Sequence, residues 1–251
     1  MSLISEITLY FLLSVSLGLS LFSILVNPKH TGAGFIKLIN NVNIGSLMLI
    51  LLIGGWKVYL PMLGPGAVLL ALTPTFSEGN KSKFFPVFYL ATVSCILLSI
   101  LVFRNFTFDY SLLYIFSGMS FLGVITYAMI LGHWYLVVPG LSENHLKKAM
   151  VAFWWILALK IVLFCLEIFS KNQILQSGSN GAMGYMFNWI MLLMRFGWGY
   201  LIIFVMGIYT WRLTKMRSIQ SATGVLYVMT FFVFIGELIA GFYHFKYGIS
   251  L

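Results

Sequence analysis

Six ionisable side chains fall within or just inside the apolar runs of this 251-residue chain: His133, Lys160, Glu167, Arg195, Glu237 and His244. A charged group in hydrocarbon costs at least a few kcal/mol, so such residues usually face a cavity, a cofactor or a partner. All six lie in the C-terminal half. Four polar residues of the last apolar run, Thr223, Thr230, Glu237 and His244, stand seven apart. A seven-residue step on a helix returns to nearly the same face, drifting by about 20°. Hydroxyl, hydroxyl, carboxyl and imidazole therefore form one line across the membrane, with Gly241 between the last two. Such a line is suited to passing protons. The pairs Thr126/His133, Lys160/Glu167 and Asn188/Arg195 repeat the same step. The four C-terminal helices are thus expected to turn polar stripes towards each other, leaving Phe231, Phe232 and Phe234 for lipid or for the N-terminal helices.

Depth decides which charges meet. At roughly 1.5 Å per residue, Arg195 and Glu237 both fall in the outer-to-middle part of the bilayer. Pairing them relieves two desolvation penalties together, and Lys160, nearer the midplane, joins that buried ion pair. Removing Arg195 alone then strands a carboxylate. Glu167 lies about two turns further out, too far to neutralise Lys160 directly. The same contacts also serve as interhelical glue, and the threonines can bond their own backbone.

The histidines raise a second chemistry. His133 lies in GHWYLVVPG and His244 in GFYHFKYG. A neutral imidazole in a helix bundle can ligate haem b, and Gly132 and Gly241 would admit a flat macrocycle. His133 and His244 are accordingly the candidate cofactor-binding residues. A bis-histidine site needs equal depth, which pairs His133 with His145, or His244 with His30 in a seven-span topology only. Trp189 and Trp198 flank Arg195 at about two turns each way and suit the walls of a quinone slot. Trp134, Tyr135, Trp154, Trp155 and Trp211 near helix ends read as an aromatic belt. There is no phosphate loop, HExxH zinc motif or GxSxG elbow. The final run has no lysine on its inward stripe, against a retinal Schiff base. Cys95 and Cys165 have no CxxC or metal spacing and read as reduced packing residues.

Positioning these groups falls to membrane helices. Hydrophobic residues make up 61% of the chain and charged residues 8%, against roughly 25% charged in a soluble domain. The expected fold is an all-α polytopic bundle of seven or eight transmembrane helices with short loops. Seven runs reach the length of about 20 residues that a bilayer requires: 6–26, 35–56, 84–103, 111–137, 146–169, 184–212 and 219–245. An eighth, 58–76, is broken by Pro61, Gly64, Pro65, Gly66 and Pro74, and reads as a kinked span, a re-entrant loop or an interfacial element. The first run follows Glu6 rather than a basic segment and is long for a signal-peptide core, so it is expected to remain as a span. The net charge of +9 sits in short loops, the mark of cytoplasmic connections and not of nucleic-acid binding. Lys81/Lys83, Lys147/Lys148 and Arg212/Lys215/Arg217 share one side, which places the C-terminus outside, in the cytoplasmic (inner) membrane.

The chain reads as one transmembrane domain, with mainly apolar helices over 1–107 and polar seams over 108–251. Its loops leave little room for water-soluble catalysis, so other membrane or peripheral subunits are expected beside the lipid bilayer. The preferred reading is a subunit of an electron-transfer or proton-coupled complex, contacting haem b or quinone or conducting protons. A small-solute or ion transporter, built around the broken 58–76 segment, is the first alternative. A structural anchor or assembly subunit is the second.

Overall fold

The computed structural model describes residues 2–26, 28–76, 85–103, 111–138, 140–170 and 181–249. The lysine pair at 81 and 83, Arg104 and most of the polar 170–184 loop lie outside the described residues. The chain runs through α1 (Leu3–Ser23), α2 (Pro28–Gly54), α3 (Trp56–Leu72), α4 (Phe85–Phe103), α5 (Ser111–Val137) and α6 (Asn144–Ser170). It ends with α7 (Gly181–Phe196), α8 (Ile203–Lys215) and α9 (Ile219–Tyr247). Between α7 and α8 runs a π-helical turn, Gly197–Ile202, so Met186–Lys215 makes one continuous crossing. Among the described residues, eight helical segments are long and apolar enough to span a membrane.

The eighth crossing is the segment that its prolines left open. Residues 58–75 form a helix that closes in a 3-10 turn, Thr73–Phe76. Pro74 has no N–H, so the carbonyl of Leu70, four residues earlier, loses its helical donor. Asn40 of α2 replaces it, its Nδ2 donating to that oxygen at 2.8 Å, and Thr73 Oγ1 donates at 2.7 Å. Tyr89 of α4 completes the arrangement by donating to Asn40 Oδ1 at 2.6 Å. A proline is tolerated at membrane depth when a neighbouring helix satisfies the freed carbonyl, and here three helices share that task.

α5 is the central element. Of its 18-residue apolar window 83% is buried, against 50% or less for the other crossings. Gly18 of α1 and Gly123 of α5 meet backbone to backbone, and a Cβ on either would strike the other's main chain. With no hydrophobic drive between helices in lipid, such small-residue crossings supply the close packing that holds the bundle. The bundle's exterior carries Leu52, Trp155, Phe169, Leu193 and Phe231, each at least 60% exposed. In water such a surface would aggregate; against lipid it is solvated. Phe234 instead packs edge-on against Phe11 of α1, with ring centres 5.1 Å apart.

Candidate functional site

The charges predicted to meet do so on three helices. Lys160 Nζ of α6 donates to Glu237 Oε1 of α9 at 2.5 Å, and Arg195 Nη2 of α7 donates to the same oxygen at 3.1 Å. Arg195 is 0% exposed, Glu237 2% and Lys160 3%. The carboxylate therefore stands between two cations out of contact with bulk solvent. Glu237 is ten residues, about 15 Å, from the end of α9, close to the middle of a 30 Å hydrocarbon layer.

Arg195 is held by features that its own charge does not announce. It sits in the last turn of α7, immediately before the π-helical turn. That wider turn sets Tyr200 against the guanidinium: Nη2 donates to Tyr200 Oη at 2.8 Å, and the guanidinium carbon lies 4.5 Å from the ring centre. π-turns recur at functional sites because they re-aim side chains within a helix. Gly199 and Gly236 clear the guanidinium's space. A Cβ on Gly236 would lie 2.9 Å from Arg195 Nη1 and 2.9 Å from the Gly199 Cα.

Two uncharged residues, from α1 and α5, complete the site. A Cβ placed on Gly118 of α5 would come within 2.7 Å of Glu237 Oε2, 3.2 Å of Tyr10 Oη and 3.4 Å of Lys160 Nζ. Gly118 is thus a bare window beneath a carboxylate, a phenol and an ammonium drawn from three helices. Beside it opens a cavity of about 20 Å³, lined by Tyr10, Tyr114, Lys160, Glu237, Gly241 and His244. Its volume is that of a water molecule or a monatomic ion. Tyr114 Oη donates to the Leu163 carbonyl at 3.3 Å, which ties this wall of the cavity to α6. No chemical sign in the sequence marks Tyr10 or Gly118. The GWG run after Arg195 is the one local hint of the glycine-lined guanidinium pocket.

The seven-residue stripe divides into two parts. His244 and Glu237 share the cavity. Thr223 and Thr230 instead donate to the carbonyls of Ile219 and Leu226, each at 2.8 Å. Their hydroxyl protons are committed to their own helix, as threonines in membrane helices commonly are.

The two candidate cofactor histidines lie at opposite ends of the bundle. His133 is exposed, with its Nδ1 2.9 Å from Tyr227 Oη near the start of α9. Tyr227 and His244 are 17 residues apart on that helix, about 26 Å, so no single haem spans His133 and His244. His30 begins α2 at the His133 end, which removes the pairing with His244 that seven crossings would give. The water-sized cavity at His244 does not fit a macrocycle. Trp198, at 38% exposure, packs edge-on to Phe232 on the bundle's exterior.

GHWYL instead fastens its end of the bundle. His133 meets α9, Trp134 Nε1 donates to the Thr31 carbonyl of α2 at 3.0 Å, and Tyr135 Oη donates to the Ser142 carbonyl. Beside it, Glu143 accepts from Lys147 Nζ and from Arg217 Nε, each at 3.2 Å. Hydrogen bonding by its own backbone N–H, then by Lys147, holds the Glu143 carboxyl below its usual range, and the Arg217 charge adds to this. A depressed folded-state value means that this contact's stabilisation is present above the unfolded carboxyl's pKa, about 4.3, and is lost as pH falls through the lower folded value. Glu143→Gln should therefore lower the thermal midpoint slightly at neutral pH and not in acid, and added salt should shrink the difference. An equal decrement in acid would remove the ionic contribution.

Comparison with protein-family models, curated proteins and solved structures finds no match. What the fold and composition establish is the class: an all-helical polytopic membrane protein whose lipid-facing helices enclose a buried Lys–Glu–Arg cluster.

Proposed function

We propose that the chain is a proton-coupled integral membrane protein whose exchange site is the Lys160–Glu237–Arg195 cluster. The observation that carries this reading is one carboxylate shared by two buried cations at the wall of a water-sized cavity that also holds His244. When all three groups are charged, the cluster carries one net positive charge. Discharging Lys160 leaves Arg195 and Glu237 as a neutral pair, whereas protonating Glu237 would leave two unbalanced cations. Arginine does not release its proton in proteins. The proton that moves at least electrostatic cost is therefore the one on Lys160, with Glu237 as its fixed counter-charge. A proton from cavity water bonds to the Lys160 amine on loading and returns to water on release. His244, half-exposed at the cavity, is suited to relay it. Tyr10, Tyr114 and Tyr200 are the other titratable groups facing the cluster.

With eight crossings, Lys29, Lys37, Lys147, Lys148, Arg212, Lys215 and Arg217 fall at the His133 end, and Lys57 and Lys246 at the other. The bias supports a cytoplasmic His133 end, both termini outside, and loading from the outer face of an inner-type membrane. The cavity also favours a transported ion over a larger solute or an electron carrier, and no step is assigned to haem or quinone.

The test is proton flux. Wild-type protein in vesicles with a trapped pH-sensitive dye, in chloride medium with the membrane potential clamped, is expected to dissipate an imposed pH gradient faster than protein-free vesicles. Lys160→Met should return the rate to background, a loss of about a hundredfold over the protein-dependent rate if Lys160 is the carrier. Wild-type vesicles no leakier than protein-free ones would end this reading.

A further inference from the structure

We infer that the cavity beside Lys160 binds one small monovalent anion of halide size, loaded and released together with the proton on Lys160. This rests on the cluster's being the exchange site, and it names the species moved with the proton.

Charge comes first. Two cations and one carboxylate lie within hydrogen-bonding distance of each other, and none is more than 3% exposed. The other buried carboxylate among the described residues, Glu167 of α6, is seven residues further along, about 10 Å from Lys160 on the helix axis. An excess positive charge at this depth is unfavourable unless a counter-ion reaches it. Donors come second. An ammonium has three N–H groups, and Lys160 directs one to Glu237 Oε1 at 2.5 Å. Its remaining contact among the described residues is the face of Phe121, 5.8 Å from Nζ to the ring centre. Two donors are left for the contents of the cavity that Lys160 lines.

Shape comes third. About 20 Å³ is room for one water-sized species, the size class of a monatomic ion and smaller than phosphate or a carboxylic acid. Gly241 keeps one wall free of a side chain, and Tyr10 and His244 are polar neighbours from α1 and α9. The Glu237 carboxylate borders the same space and repels an anion. An anion is therefore held only while Lys160 and Arg195 are both charged. Loss of the Lys160 proton to water neutralises the cluster and frees the anion, so proton and anion move one to one without net charge. Arg195 and Tyr200, on the far side of Glu237, keep the carboxylate in place throughout.

The experiment is calorimetric titration of the detergent-purified full-length chain with sodium bromide, against sodium gluconate and phosphate at matched ionic strength. Bromide alone should give binding heat, and buffers of different ionisation enthalpy should report about one proton taken up per bromide. Lys160→Met should weaken bromide binding at least about tenfold. Should that variant fail to fold, Gly241→Ala keeps every charge, puts a methyl on the cavity wall at ordinary contact distance from Ile7 (3.5 Å) and Tyr10 (3.6 Å), and should also weaken bromide. No bromide-specific heat in the wild type, or unchanged affinity in the folded variant tested, overturns the anion site. If vesicles carry Lys160-dependent proton flux but the protein binds no bromide, the anion site falls and the proton reading stands. Lys160-dependent bromide binding without proton flux keeps the anion site and ends the proton reading.

Discussion

Glu237→Ala is expected to be the most destabilising single change in the cluster, at about 3–5 kcal/mol, because it leaves the Arg195 guanidinium, which cannot shed its charge, buried without a carboxylate. Arg195→Ala should cost distinctly less, since Lys160 and Glu237 remain a neutral pair 2.5 Å apart. Combining Arg195→Ala with Glu237→Ala should recover part of the Glu237→Ala loss. The guanidinium, which cannot shed its charge, is then gone, and the remaining lysine can lose its proton. Reversible unfolding in mixed micelles measures all three. Contacting residues should give a non-additive cycle with a coupling of about 1–3 kcal/mol. Additive losses, or Arg195→Ala as severe as Glu237→Ala, would show that the cluster is not held by shared charge.

A pairwise reading of the sequence reverses that ranking, because it makes Arg195 the guardian of Glu237 and its removal the lesion that strands a carboxylate. The charged members and their approximate depth were legible, since length and helix rise fix both. Which of three charges is the hub was not, because that depends on how α6 and α9 face each other around α5. Gly118 shows why. Nothing distinguishes it in sequence from the other 22 glycines, yet its missing Cβ makes room for atoms from α1, α6 and α9.

Periodicity carried the last helix only part of the way. It placed Thr223, Thr230, Glu237 and His244 on one stripe but could not say that the two hydroxyls donate to their own backbone. The eighth crossing was ambiguous for a related reason. Pro74 frees the Leu70 carbonyl locally, and the donor that restores it, Asn40, is 30 residues away. The histidines suggested haem because their type fits iron. Opposite ends of one helix bundle, and a cavity the size of a water, are facts of packing that residue type does not contain.

Lys160→Arg separates the charge of the site from its proton. Arginine retains the positive charge and a donor for Glu237, so the variant should remain folded, while its larger guanidinium takes up the water-sized cavity and should weaken bromide as Lys160→Met does. Its guanidinium cannot give up a proton, so the cluster is locked in its charged state with no proton to exchange. Proton flux in chloride-loaded vesicles should fall by about a hundredfold, to the level of Lys160→Met, in a variant that keeps the positive charge Lys160→Met removes. Flux that survives Lys160→Arg would move the exchangeable proton from Lys160 to Glu237 or His244, the α9 groups in the cavity wall. His244→Gln then decides between them, because it interrupts a relay at the mouth of the cavity while leaving the Glu237 contacts to Lys160 and Arg195 intact.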